Sequence, residues 1–257
     1  MSDRFVVLGA SNVSRGLARL TATVRARAGT QPAAPADLFV AAGHGRGYAV
    51  TSRVGMRRLP SILASGLWRA LDREQVSAPA ALVMDVGNEL LYGLGVAAVA
   101  TAVRTAVGRL RDRGARIAVV GLPLESIAGV GRVRYRLMRT VYVPGCPLSL
   151  GQVREGAIWL DEELRAIAAA AGAAFIEQPG GWYGFDALHL RRPRLDDLWQ
   201  RVGDAWGLPP AARRPRATFA DWATVGMRAA EVRSLARRTL RTPQPAAACQ
   251  GLRLWMY

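Results

Sequence analysis

From Phe5 to Trp206 the chain alternates short apolar runs with stretches of helical period. Phe5-Val6-Val7-Leu8 is continuous and rich in β-branched residues, as a strand buried on both faces of a parallel sheet must be. Gly9 follows. Val13, Leu17, Leu20 and Val24 then recur at helical spacing, so Ser11 falls where the first strand gives way to the first helix. Further runs predict strands at Asp37 to Ala42, Ala80 to Val86, Arg116 to Leu122 and Ala173 to Glu177. Helices are predicted over Ile62 to Leu71, Val96 to Arg113, Gln152 to Ala171 and Arg194 to Trp206, with Gly114 placed as a terminating glycine.

This alternation predicts a three-layer α/β/α sandwich around a parallel sheet, its crossovers right-handed. Glu125 to Leu150 breaks the rhythm with a helix around Arg132 to Val141 and a loop at Pro144, Gly145 and Pro147. An insertion at this sheet edge either shapes a pocket or is a plain surface excursion. After Leu208, the prolines and arginines from Pro209 to Pro215 read as a linker. Thr218 to Leu240 reads as a basic amphipathic helix with Phe219, Trp222, Val225, Val232 and Leu235 as its apolar members. It would either lie on a membrane surface or pack on its own domain. The predicted division is therefore an α/β domain over 1–207 and a linker with a helical extension over 208–257.

The carboxyl ends of parallel strands share one edge, where open α/β folds bind their ligands. Strand one ends at Ser11, strand two at Gly43, strand three at Asn88, and the loop after strand five carries Asp186 and His189. Ser11 alone reads equally as a helix N-cap. Together the five residues are what acyl transfer needs: a hydroxyl nucleophile, a neutral base oriented by a carboxylate, and donors for an oxyanion. Ser11 would attack, His189 would take its proton, Asp186 would hold the imidazole, and Ser11 N–H, Gly43 N–H and the Asn88 amide would bind the oxyanion. Gly45 is the alternative to Gly43 if the loop register differs. His44 either lines the pocket or occupies a turn. Trp182, Tyr183 and Phe185 either wall the site or pack. Asn12 and Glu89 flank the nucleophile and the oxyanion asparagine and are further pocket candidates.

Composition sharpens this reading. The formal net charge of +16 suggests nucleic acid, but every basic residue is Arg and no nucleic-acid-binding module is recognisable. The arginine, with abundant Ala, Gly and Pro, reads as GC-rich coding bias on a solvated surface, and no nucleic-acid partner is expected. Against that bias Asn12 and Asn88 are the only asparagines, and His44 and His189 the only histidines. Cys146 and Cys249 are too few and too far apart for a disulfide framework or a zinc site. No apolar run is long enough to span a bilayer, so stable membrane insertion is not expected. Met1-Ser2-Asp3-Arg4 leads straight into the first strand, which predicts a cytoplasmic chain.

Four blocks, GASN at Gly9 to Asn12, AAGHG around Gly43, VGNE at Val86 to Glu89 and DALH at Asp186 to His189, resemble those of the SGNH or GDSL hydrolases in order and spacing. The resemblance covers residues 5 to about 206. It implies a flavodoxin-like sandwich with a five-stranded parallel sheet, hydrolysis of a small acyl ester through an acyl-enzyme, and no metal or cofactor. The chain departs from the pattern at Ala10, where the family usually has Asp, and at Asn12, Glu89 and Leu190, where it usually has Leu, Asp and Pro. Two other readings compete. A catalytically silent relative would bind an ester or glycan without cleaving it. A dinucleotide-binding oxidoreductase would use the glycines after the first strand, but Gly9 and Gly16 lack the middle glycine of GxGxxG, and a chain without Lys has no Tyr-xxx-Lys pair.

Overall fold

The structure, a computed structural model, describes residues 4–28, 35–211, 213–226, 228–236, 238–249 and 251–257. Its strands in chain order are β1 (Arg4–Leu8), β2 (Ala36–Ala41), β3 (Ser52–Val54), β4 (Arg57–Leu59), β5 (Ala80–Val83), β6 (Arg116–Val120), β7 (Ala174–Ile176), β8 (Val232–Leu235), β9 (Arg238–Arg241), β10 (Ala247–Cys249) and β11 (Leu252–Met256). The helices that matter below are α1 (Ser11–Ala28), α2 (Leu67–Arg73), α3 (Asn88–Leu91), α4 (Val96–Arg111), α5 (Leu124–Ala128), α6 (Arg132–Tyr142), α7 (Leu150–Ala170) and α8 (Arg192–Ala205).

The main sheet runs β10-β11-β2-β1-β5-β6-β7. Five of its seven strands, β2, β1, β5, β6 and β7, are the mutually parallel set expected, and they lie between two helical layers; the sheet is wider than the five strands expected, because β11 joins it parallel to β2 and β10 antiparallel to β11. Alternate residues of each strand face opposite layers. Val6, Leu8, Phe39, Ala81, Val83 and Val119 pack with Leu67 of α2, Val103 of α4 and Leu164 of α7. Phe5, Val7, Leu38, Val40, Leu82 and Val120 pack with Leu20 of α1 and Trp199 of α8. Both faces of the sheet are therefore core, which is why the strands read as unbroken apolar runs.

The end of the chain departs from the sequence reading. Thr218 to Leu240 is not a helix: among its described residues only Phe219–Asp221 is α-helical, followed by a π-type turn at Trp222–Gly226 and then by β8 and β9. Thr218 and Asp221 make a capping box that starts the turn, but Gly226 weakens its continuation, and strand pairing is available downstream. Val232 to Leu235 pairs with both β4 and β9, giving a second, antiparallel sheet β3-β4-β8-β9. Tertiary partners override a helical period that Phe219 and Trp222, both exposed, do not bury. The last residues, Leu252 to Met256, extend the main sheet in parallel beside β2. Trp255 stacks on Phe39 with ring centroids 5.2 Å apart, and its indole N–H donates to Asp37, which also takes two bonds from Arg253.

Candidate active site

β1 delivers the chain to Ser11 at the carboxyl edge of the sheet, and Gly9 N–H is still bonded to Ala41 of β2 at 3.1 Å. The first turn of α1 has an unusual capping group. Oδ2 of Asp85, just past the end of β5, accepts the amides of Ala10, Asn12 and Val13 at 2.8, 2.9 and 3.2 Å. The acceptor that caps this helix is thus Asp85, not the Ser11 hydroxyl. Ser14 N–H bonds Ala10 O. Of the amides from Ala10 to Ser14, that of Ser11 alone has no acceptor among the described residues. Asp85 adopts φ +56°, a left-handed conformation that Asp tolerates better than most residues.

Asp186 and His189 come together in the loop before α8. His189 Nδ1 lies 2.6 Å from Asp186 Oδ2, while Asp186 Oδ1 accepts the amides of His189 and Leu188 at 2.8 and 3.1 Å. Burial opposes the Asp186 charge, but the bonds from the His189 ring and from the two amides outweigh it and hold the carboxyl at about 2. With Nδ1 engaged, Nε2 is the nitrogen left for proton transfer.

Asn12 ties the two loops together. Its Nδ2 donates to Asp85 Oδ1 at 2.8 Å and to Leu188 O at 3.0 Å, and its Oδ1 accepts Leu190 N–H at 2.9 Å. Asn12 is buried, so it braces His189 on both sides instead of lining a pocket. Trp182 and Tyr183 are also buried, in the layer formed by α1 and α8; Arg201 lies over the Trp182 ring and the Tyr183 hydroxyl bonds Gln178. They pack. Phe185 is exposed beneath the Arg134 guanidinium. Tyr142 of α6, which sequence reading missed, is the aromatic next to His189, its ring centroid 5.8 Å from that of the imidazole.

The loop after β2 is held from below. A Cβ on Gly47 would come within 2.6 Å of the Glu89 carboxyl carbon, so that position needs glycine for close approach, while one on Gly43 would meet only the terminal methyl of Leu59, at 2.3 Å, which would have to move. Glu89 is buried and spends both oxygens on this loop, accepting Tyr48 N–H at 2.8 Å, Ala49 N–H at 2.6 Å and Val50 N–H at 3.0 Å. It is a brace, not a pocket residue. The Tyr48 hydroxyl, driven upward in pKa chiefly by burial, straps the ends of β1 and β5 through Leu8 O and Met84 O.

Arg46 is a further group that the sequence did not reveal. It is fully buried, with Nε on Pro60 O at 3.0 Å and Nη1 on Ala42 O at 3.2 Å and on Tyr257 O; Nη2 has no partner among the described residues. Burial, and next Arg57, pull it down to about 9. Its own carbonyl accepts one hydrogen of Asn88 Nδ2 at 3.1 Å, which orients that amide and leaves its other hydrogen uncommitted. The amides of Gly43 and Gly45 donate to no acceptor among the described residues, and Gly45 O accepts the Tyr92 hydroxyl at 2.7 Å. His44 lies beside them at the surface with its imidazole partly covered, its carbonyl bonded to Arg57. Its imidazole is lowered by partial burial, Arg57, His189 and Arg15, against the pull of Asp85. Among the described residues no group of three or more His, Cys, Asp or Glu is placed to hold a metal ion.

No protein-family model matches this chain, and no curated protein matches it by sequence. Solved structures share its outline at low identity. A psychrotrophic esterase, EstA, from Pseudoalteromonas is 14% identical over 79% of this chain and 96% of its own, with a TM-score of 0.47. A GDSL-like lipase from Bacteroides thetaiotaomicron is 11% identical over 80% and 88%, at 0.49, and TesA 14% over 79% and 97%, at 0.48. At such values these likenesses carry no argument about chemistry. The chain's resemblance to the SGNH hydrolases rests on its own residues.

Proposed function

We propose that this chain is a serine esterase of the SGNH type that cleaves a small acyl ester through an acyl-enzyme. Ser11 Oγ attacks the carbonyl carbon as His189 Nε2 takes its proton, and Asp186 holds the imidazole and stabilises the imidazolium. The carbonyl oxygen becomes an oxyanion, bound by the Ser11 and Gly43 amides and the free hydrogen of Asn88 Nδ2. Collapse of the intermediate returns the proton from His189 to the departing alkoxide. A water then enters, gives its proton to His189 and attacks the acyl-enzyme, and the acid leaves as Ser11 recovers its hydrogen.

The observation that carries this reading is the Asn12 bridge. One side chain, belonging to the residue directly after Ser11, bonds the backbone on both sides of His189. Such a brace fixes a nucleophile turn against the loop of a base already oriented by a carboxylate. Hydrolysis of nitrophenyl butyrate by the wild type, Ser11→Ala and His189→Ala tests it. Loss of about 10⁴-fold or more in kcat for each variant is expected. Turnover retained by folded Ser11→Ala overturns the proposal.

A further inference from the structure

Between the loop of the base and the short helix that carries Asn88 lies an apolar cavity of about 50 Å³. Leu188, directly before His189, and Leu91, three residues after Asn88, form its inner wall. The inserted segment forms the rest: Val130 follows α5, and Tyr135, Met138 and Tyr142 lie along the inner face of α6. Of the two hydroxyls in this set, that of Tyr135 is already donated to Leu148 O at 2.6 Å. The surface that faces the cavity is almost wholly apolar. Tyr142, which lines the cavity, also lies against the His189 ring, 5.8 Å between centroids, and so joins the cavity to the proposed reacting centre.

Resting on the esterase reading, we infer that this cavity binds a short unbranched hydrocarbon chain of the ester and sets the length the enzyme prefers. A single water needs about 10–15 Å³ of such space, so the cavity has room only for a short chain, on the order of four carbons. Each methylene that enters such a site leaves water, which raises kcat/KM about fourfold per carbon until the cavity is full. Longer chains must displace Met138 or lie outside.

Two ester series test this: nitrophenyl esters of acids from two to ten carbons, and acetate esters of alcohols of the same lengths. The chain that occupies the cavity is the one whose series rises and then falls with an optimum near four carbons. Met138→Ala should move that optimum to longer chains and Val130→Phe should move it toward two carbons. A flat or monotonic profile in both series, or an optimum that neither variant moves, overturns the inference. A readout independent of turnover uses protein labelled with ¹³C in its methionine methyls, titrated with 1-butanol. The Met138 methyl, assigned with Met138→Ala, should shift selectively among the six methionines. If no ester is hydrolysed, the esterase reading fails and this resonance alone decides the cavity: a selective shift supports the hydrocarbon site, and no shift ends it.

Discussion

Asn12 Nδ2 lies 2.8 Å from Asp85 Oδ1, while Asp85 Oδ2 gathers the amides of the turn that presents Ser11. The residue that caps α1 thus also orients the side chain that braces the His189 loop. Two chain segments more than 170 residues apart are set against each other by one carboxylate and one carboxamide. Asp85 also supplies a carboxylate near Ser11 in a chain that has Ala10 where its resemblance would place one.

Asp85→Ala should therefore damage both stability and turnover. It leaves three backbone amides and the Asn12 side chain without their acceptor, and a lost helix cap alone costs up to about 2 kcal/mol. Urea melts should show at least that loss, and kcat should fall at least about tenfold, since small displacements at a reacting centre are expensive. A stable variant with wild-type kcat would remove Asp85 from any part in positioning Ser11.

Asn12 gives a sharper comparison. Asn12→Asp keeps the size but replaces the amide donor with an acceptor facing Asp85 Oδ1 and Leu188 O. It should be more harmful than Asn12→Ala in both kcat and melting temperature, because like charges meet and a buried acceptor is left unpaired. The reverse order would show that the bridge does not hold the loops.

Arg46 should act on the oxyanion side. Its carbonyl orients the Asn88 amide and its guanidinium anchors the loop to Ala42, Pro60 and the Tyr257 carbonyl next to β11. One oxyanion donor is worth about 10²–10³ in rate, so a misplaced Asn88 should cost a sizeable part of that. Arg46→Met should lower kcat at least about tenfold with KM within about twofold, and Arg46→Lys should recover part of it. Steady-state kinetics at a temperature where both variants are folded make the check; a loss confined to melting temperature would limit Arg46 to stability.

The acid side of the stability curve should carry the Asp186 signature. Its carboxyl is held at about 2 against an ordinary 3.8, so the folded state keeps the charge that the unfolded state gives up first. The contribution, about 2 kcal/mol, is full above roughly pH 4 and is lost as the pH falls toward 2. Urea melts of the wild type should show this decline, and Asp186→Asn should lack it. Parallel declines in the two proteins would contradict the assignment.

Strands buried on both faces must be apolar throughout, which is why β1, β2, β5, β6 and β7 could be read from sequence, and their shared edge follows from being parallel. Ser11, Gly43, Asn88, Asp186 and His189 could be proposed from sequence because each sits at a strand end or in the late loop. The braces were harder. Asp85 and Arg46 act through bonds to backbone from distant segments, which no local pattern encodes, although an acid closing the apolar run of β5 is a signal in hindsight. Asn12 and Glu89 stood out by position, but only burial shows that they hold loops instead of meeting a substrate. The region after Thr218 misled because apolar residues spaced for a helix also suit short strands, and β8 and β11 take their conformation from β4 and β2.

Whether Ser11 is an activated nucleophile is the claim on which the account turns. Intact-mass and peptide analysis after exposure to an alkyl fluorophosphonate measures it directly, with heat-denatured protein and Ser11→Ala as controls. The account predicts one adduct per chain on the Ser11 peptide, absent from both controls. Folded wild-type protein that stays unmodified, or that is modified elsewhere, would contradict it.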